Sequence, residues 1–173
     1  MRIVAGELGG RRLIGPPDDS VRPTGDRVRE ALFSILGDIE GLTVLDLFAG
    51  TGALAIEAIS RGATAATLVD VSIGPAEANV AALEVGDRAA LIRSDAIRFL
   101  ERDPERYDLI FCDPPYRLAR RFASDLETHL GPHLERGGRV IVETARSDAV
   151  EVGMPLLDER VYGSTMIRIH GAS

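Results

Sequence analysis

The stretch Thr43-Val44-Leu45-Asp46-Leu47-Phe48-Ala49-Gly50-Thr51-Gly52-Ala53-Leu54-Ala55 decides how the rest of the chain is read. Thr43–Phe48 is a short apolar run with the composition of a buried strand. Gly50, Gly52 and Ala55 fit the pattern G-x-G-x-x-G/A, placed after that strand and before a helix over Ala53–Ser60. Glycines there let the backbone turn tightly and approach a ligand closely. The free N–H groups of the helix start suit an anionic group. A plain strand-to-helix turn is the competing reading of these residues.

Outward from this loop, apolar strands alternate with helices. Strands are expected at Ala66–Val71, Ala89–Arg93, Tyr107–Cys112 and Arg139–Glu143, and helices at Pro75–Leu83, Ala96–Leu100 and Ala119–Leu130. Such alternation implies right-handed crossovers and a mostly parallel central sheet with helices on both faces, an α/β Rossmann-like arrangement. Arg160–Gly163 and Thr165–His170 add an antiparallel C-terminal hairpin at the sheet edge. Before this region, Arg2–Ala5 and Arg11–Ile14 pair as a short hairpin through Gly9-Gly10. Asp26–Leu36 follows as a helix, with Val28, Leu32, Ile35 and Leu36 on one face, Thr24 or Asp26 as cap and Gly37 as terminator. The chain thus divides into an N-terminal hairpin and helix extension, 1–40, and a nucleoside-binding domain, 41–173.

Composition bounds the function. The 173 residues fit one domain. A content of 45% hydrophobic and 27% charged residues is that of a globular chain. No apolar run reaches the length of a membrane helix, and the N-terminus lacks the apolar core of a signal peptide. One cysteine, Cys112, excludes an internal disulfide, and with three histidines it leaves no Cys/His metal cluster. No metal is expected, and the compartment read from these features is the cytoplasm. The net charge is −7, yet residues 1–36 hold six Arg against five acids, so the acid lies outside the N-terminal arm. All 20 basic residues are Arg. Arg matches phosphate geometry, although an absence of Lys is more simply a matter of genome composition.

Two further acids complete a nucleoside site. Asp70 ends the second strand about 20 residues past the glycine loop, where a carboxylate can accept from two ribose hydroxyls. Asp95, in Ser94-Asp95-Ala96, follows the third strand and either accepts from an adenine amine or caps the next helix. These parts serve a dinucleotide oxidoreductase and an S-adenosylmethionine-dependent methyltransferase equally well. The fourth strand separates them, because it runs into Asp113-Pro114-Pro115-Tyr116. Two prolines stiffen this loop and remove two donors, so it presents acceptors. An Asp carboxylate beside a Pro carbonyl can receive both hydrogens of an exocyclic amine, and Tyr116 offers a stacking face for a base. Acceptors hold the amine lone pair toward a methyl donor and stabilise the charge that develops on nitrogen. Nothing in the loop serves hydride transfer. Cys112 reads as a buried strand residue, and His129, His133 and His170 show no pairing.

The chain resembles the RsmD-type family of bacterial small-subunit ribosomal RNA guanine-N2 methyltransferases. The resemblance is carried by Arg2–Gly6 with Gly10-Arg11-Arg12-Leu13, by Arg22-Pro23-Thr24-Gly25-Asp26-Arg27-Val28-Arg29-Glu30-Ala31-Leu32-Phe33, by Leu45–Leu54, by Asp113–Tyr116 and by Arg160–Gly163. It implies the class I methyltransferase fold with S-adenosylmethionine as cofactor. Phe48, Ala49, Gly50 and Gly52 would then line the methionine part, flanked by Asp46 and Ala53. Asp70 would hold the ribose, Asp95 with Ser94 and Ala96 the adenine, and Asp113, Pro114, Pro115 and Tyr116 the target guanine. Arg11, Arg12, Arg22, Arg27 and Arg29 would meet RNA phosphates, with Arg117, Arg120 and Arg121 at the active-site rim. The implied partner is 16S rRNA within a small ribosomal subunit or an assembly intermediate, and the layout is compatible with a monomer. Ser72 stands where the family commonly has a second acid. Adenine-N6 methylation of DNA and cofactor binding without turnover are the alternatives. The first uses the same motif but lacks a target-recognition domain here, and the second leaves the intact Asp113–Tyr116 segment without a role.

Overall fold

The computed structural model describes residues 1–15, 25–114, 119–147, 150 and 152–171. Their element order is α1 (Asp26–Leu36), β1 (Thr43–Leu47), α2 (Ala53–Ser60), β2 (Ala65–Asp70), α3 (Gly74–Leu83), β3 (Ala89–Arg93), α4 (Ala96–Leu100), β4 (Tyr107–Cys112), α5 (Ala119–His129), β5 (Leu134–Ala145), β6 (Leu156–Tyr162) and β7 (Thr165–Gly171). The strands form one sheet in the order β3-β2-β1-β4-β5-β7-β6. β1 to β5 run parallel, and β7 pairs antiparallel with both β5 and β6. Strand order reverses at β1/β4, and ligands of open α/β sheets bind at the carboxyl ends beside such a reversal.

Strand alternation sorts side chains to two cores. Val44, Leu109, Phe111 and Ile141 face α1, α2 and α3, while Leu45, Leu47, Ile110, Cys112 and Val142 face α4 and α5. Burial on both faces explains why these strands read as unbroken apolar runs. β3 lies at the sheet edge and is only partly covered.

The N-terminal extension shares the first core. Ile3, Leu13, Leu32, Phe33 and Ile39 pack with Val44, Ile56 and Phe111. The Phe33 ring lies 5.8 Å from that of Phe111, and the Arg61 guanidinium sits 4.9 Å from the Phe33 centroid. Buried Glu57 of α2 accepts from the amides of Val4 and Ala5 at 2.7 and 3.1 Å.

Several expectations change. The expected hairpin forms over fewer residues: Arg2 bridges Arg12, Ile3 N donates to Arg11 O and Leu13 N to Met1 O, while the amides of Val4 and Ala5 donate to Glu57. Asp26 does not cap α1; its carboxylate accepts from Arg29, and Gly25 holds the cap position without a side-chain bond. Thr24 lies outside the described residues. Val71 falls beyond β2 and is 68% exposed. β5 starts five residues before the expected Arg139, since Leu134 already pairs with Tyr107 before a register shift. Among the described residues, no helix is long and apolar enough to cross a membrane.

Candidate active site at the carboxyl ends of β1, β2 and β4

The register of β1 on β4 builds the site. Leu47 lies beside Cys112, so the next residues, Phe48 and Asp113, leave their strands as neighbours. The loop after β1 and the motif after β4 thus emerge at one place, from the two strands where order reverses.

The β1 loop is held open by unusual backbone angles. Phe48, Gly50 and Gly52 have φ of 63°, 55° and 75°. A bulky residue at positive φ is an outlier, and such outliers cluster at ligand clamps. A side chain at Gly52 would place its Cβ 2.8 Å from Leu68 Cδ2, so Leu68 would have to shift, and the positive φ strains any such residue. At Gly50 a Cβ would meet no atom nearer than 4.0 Å. The space over Gly50 is therefore open to an approaching ligand, as expected of the middle of a cofactor loop.

Two acids fix this loop from beneath and beside. Asp46 is 2% exposed and accepts from the Ala55 amide at 3.1 Å. Burial pushes its carboxyl up to about 7, against the opposing effect of the Ala55 bond, with Asp70 adding to the rise. Asp70 is half-buried; its Oδ2 accepts from the Gly50 amide at 2.9 Å and its Oδ1 from the Ser72 amide at 2.8 Å. The exposed Ser72 thus contributes to the site by orienting Asp70 through its backbone. Ala49 is buried, with its amide bonded to Val69 O, and Ala53 is half-buried at the start of α2.

Asp95 caps α4. Its Oδ1 accepts from Ile97 and Arg98 amides at 3.1 and 3.2 Å, which makes the helix-capping alternative a structural fact. The Ser94 hydroxyl donates to the Asp95 carbonyl, and Ala96 is buried. All three stand on the β3 side of Asp70, since Ser94 N donates to Asp70 O.

Asp113 is half-buried and Pro114 buried. Burial, then the nearby Glu143 and Asp46 carboxylates, hold the Asp113 carboxyl well above the usual range. Glu143 and Asp46 thus stand close enough to Asp113 for like charge to disfavour its ionisation. Pro115, Tyr116 and Arg117 lie outside the described residues, as do the side chains of Arg120 and Arg121, and Arg22. Cys112 is 1% exposed, its thiol pushed far up by burial, and so is not poised as a nucleophile. His133 bonds the carbonyls of Glu105 and Leu100 and His170 that of Met154, so both are structural.

Of the arginines expected at an RNA surface, Arg11, Arg12 and Arg27 are exposed. Arg29 is not. Its side chain is fully buried, donating to the Arg2 carbonyl and, at 2.9 Å, to Asp26. It holds the arm to α1 and cannot meet a phosphate, because helical periodicity turns position 29 inward with Leu32, Phe33 and Leu36.

Two residues near the site escape the sequence reading. Val71 follows Asp70 as an exposed apolar side chain, a surface suited to a flat ring beside a bound ribose. Phe122 of α5 meets the Phe48 ring with centroids 5.4 Å apart. The adjacency of Val71 to a strand-end acid was a readable signal; the Phe48–Phe122 contact was not, since 74 residues separate them.

Comparisons with known proteins identify the family and the fold. The family model described as conserved hypothetical protein 95 matches residues 1–171. "Ribosomal RNA small subunit methyltransferase D" of Escherichia coli (strain K12) is 40% identical over 121 residues, 68% of this chain. That match spans 61% of the length of the Escherichia coli relative. "Putative rRNA methyltransferase YlbH" of Bacillus subtilis (strain 168) is 34% identical, over 98% of both chains. The solved structure named "Putative methyltransferase yhhF from Escherichia coli" superposes with a TM-score of 0.82 at 34% identity, covering 100% of this chain and 99% of that one. The fold is that of the S-adenosylmethionine-dependent methyltransferases, and the chain belongs to the conserved hypothetical protein 95 family, in which the RsmD-type proteins fall.

Proposed function

We propose that the chain transfers a methyl group from S-adenosylmethionine to the exocyclic N2 amine of a guanine in 16S rRNA. The observation that carries this reading is the emergence of Asp113 beside the Phe48–Gly52 loop, from adjacent strands in register. One holds the methyl donor and the other the accepting amine, within reach of each other.

When bound, S-adenosylmethionine supplies an activated methyl group on a positively charged sulfonium. The chain's residues fit it. The open space over Gly50 would admit the methionine part, Asp70, fixed by two amides, would meet ribose hydroxyls, and the exposed Val71 would lie against the base. Asp95 borders the adenine end with Ser94 and Ala96. Asp46 and Asp113, with Glu143 close by, are held toward their neutral forms in the empty site, and a cation at the reacting centre would favour their ionised forms. Asp113, as a carboxylate, accepts from the target amine and points its lone pair at the methyl carbon. Positive charge would grow on nitrogen as the new N–C bond forms and the methyl–sulfur bond breaks, its electron pair remaining on sulfur, and Asp113 would stabilise that charge most at that moment. The amine then releases its proton to solvent. Pro114 and Pro115 keep the motif stiff, and Tyr116 stacks on the extruded base.

Arg11, Arg12 and Arg27 bind phosphate from the arm, with Arg22, and Arg117, Arg120 and Arg121 do so from the rim. The division into an RNA-contacting extension, 1–40, and a methyltransferase domain, 41–173, is one of role, since both share a core. The partner is a small ribosomal subunit or an assembly intermediate, the working form a monomer, and the compartment the cytoplasm. The test is transfer of labelled methyl to small subunits, free rRNA and duplex DNA, followed by nucleoside analysis. N2-methylguanosine from subunits supports the reading; N6-methyladenine in DNA or no product overturns it.

A further inference from the structure

Asn79 of α3 lies between two parts of the molecule that the proposed function leaves separate. It is fully buried. Its Oδ1 accepts from the Ile14 amide at 2.7 Å, and its Nδ2 donates to the Ile14 carbonyl at 3.0 Å. Ile14 thus meets in one side chain the donor and acceptor a neighbouring strand would offer. The second Nδ2 hydrogen goes to the Thr51 carbonyl at 3.0 Å, inside the glycine loop. The set fixes the amide orientation, because the flipped amide would face two carbonyls with its oxygen.

Nearby contacts make this a stiff junction. A Cβ on Gly52 would lie 3.4 Å from Ala76 Cβ, so α3 packs directly under the loop. Arg11 donates to the Ala82 carbonyl at 3.1 Å near the end of the same helix. Thr51 is buried, whereas the Ile14 side chain is 54% exposed on the arm. The clamp therefore runs from an interior loop to a surface segment through one buried amide. Leaving such a group unbonded in the interior is costly, so arm and loop settle together.

We propose that Asn79 is a positioning residue that couples the glycine loop to the N-terminal arm, so that filling the loop with cofactor tightens the arm for RNA. The inference rests on the reading of that loop as the S-adenosylmethionine site. By linkage, RNA held by the arm then tightens the loop for cofactor to the same degree. Asn79 touches neither ligand in this scheme; it acts through Thr51 and Ile14.

The test is amide hydrogen exchange on the full chain with and without saturating S-adenosylhomocysteine, after its binding has been measured by calorimetry. In the wild-type protein the ligand slows exchange at the Ile14 amide at least about fivefold, the lower bound of ordinary coupling. Asn79→Ala removes the acceptor of the Ile14 amide, so in the variant the coupling is read as affinity: saturating 16S rRNA tightens S-adenosylhomocysteine at least about fivefold in the wild type and not in Asn79→Ala. The Ile3 and Leu13 amides, bonded to Arg11 O and Met1 O, serve as controls for an intact arm. Ligand binding in the wild type without a change at Ile14 overturns the proposal, and needs no variant to fold. An undiminished effect of the RNA on S-adenosylhomocysteine affinity in Asn79→Ala overturns it as well. Failure of the wild type to bind the ligand overturns the reading of the loop itself, a separate and distinguishable result.

Discussion

The backbone amide of Gly50 donates to Oδ2 of Asp70 at 2.9 Å, across 20 residues of chain. The acid at the end of β2 is therefore a brace for the glycine loop as well as a candidate partner for ribose. A residue with both tasks weakens binding twice when truncated. Asp70→Ala is expected to lower affinity for S-adenosylhomocysteine by at least about tenfold, the value of one or more hydrogen bonds to a charged group. Calorimetry checks it. Affinity within twofold of wild type would remove Asp70 from the site.

Asp113 is expected to act on the RNA side alone. Asp113→Ala should abolish methyl transfer with S-adenosylhomocysteine affinity little changed, and a large loss of that affinity would assign the residue to the cofactor instead. The raised Asp113 carboxyl adds a pH signature. Protonated, it cannot accept from the amine, so kcat/KM falls as pH drops through its titration. Glu143 is the largest charge contribution to that rise. Glu143→Gln removes one negative neighbour and should move the acid limb of kcat/KM to lower pH. A limb that stays in place excludes Glu143 as its cause.

The fold was legible because the strands buried on both faces stand out as apolar runs. α1, α2, β3, α4 and β4 take the expected bounds. The candidate site was legible where its residues lie at or near a strand end, as with Asp46, Asp70 and Asp113, which the fold brings to one end of the sheet. What was not legible depends on contacts distant in sequence. Arg29 looks like one more cation in a basic arm, and only the docking of Arg2 above it shows that it is consumed internally. Glu57 gives no hint from its helix that it will take the donors of Val4 and Ala5, and so the hairpin ends sooner than expected. Asn79 reads as an ordinary helical residue until Ile14 and Thr51 are brought to it.

Arg29 and the exposed arginines should separate cleanly in experiment. Arg29→Ala leaves the Arg2 carbonyl and Asp26 without their buried partner. It should destabilise the fold by about 2–4 kcal/mol, somewhat less than a fully buried pair because Asp26 is 39% exposed. Arg12→Ala with Arg27→Ala should leave denaturation midpoints nearly unchanged. The same double substitution should weaken RNA binding and reduce its dependence on salt by about one to two counterions. Urea titration and filter binding at several salt concentrations measure both. Unchanged stability in Arg29→Ala would contradict the buried role, and an unchanged salt slope in the double variant would take Arg12 and Arg27 out of the interface.

Asp46 offers the sharpest link between site and stability. Its carboxyl is raised from 3.8 to about 7, chiefly by burial. Below about pH 4 it is protonated in folded and unfolded chains alike, and no penalty arises. Between about pH 4 and pH 7 the unfolded chain ionises while the folded chain keeps its proton, so stability falls as pH rises; above pH 7 both are ionised and the loss levels off. At about 1.4 kcal/mol per unit, the full loss is on the order of 4 kcal/mol. Asp46→Asn removes the charge yet keeps an oxygen that can accept from the Ala55 amide. The variant should therefore match wild type near pH 4 and exceed it by a few kcal/mol at pH 8. Denaturant unfolding at pH 4, 6 and 8 gives the comparison. The gain belongs to the empty protein, since a carboxylate in this position serves a cationic ligand, and stability is commonly lower where a site holds uncompensated charge. Equal slopes of stability against pH in the two proteins would show that Asp46 does not hold its proton in the fold.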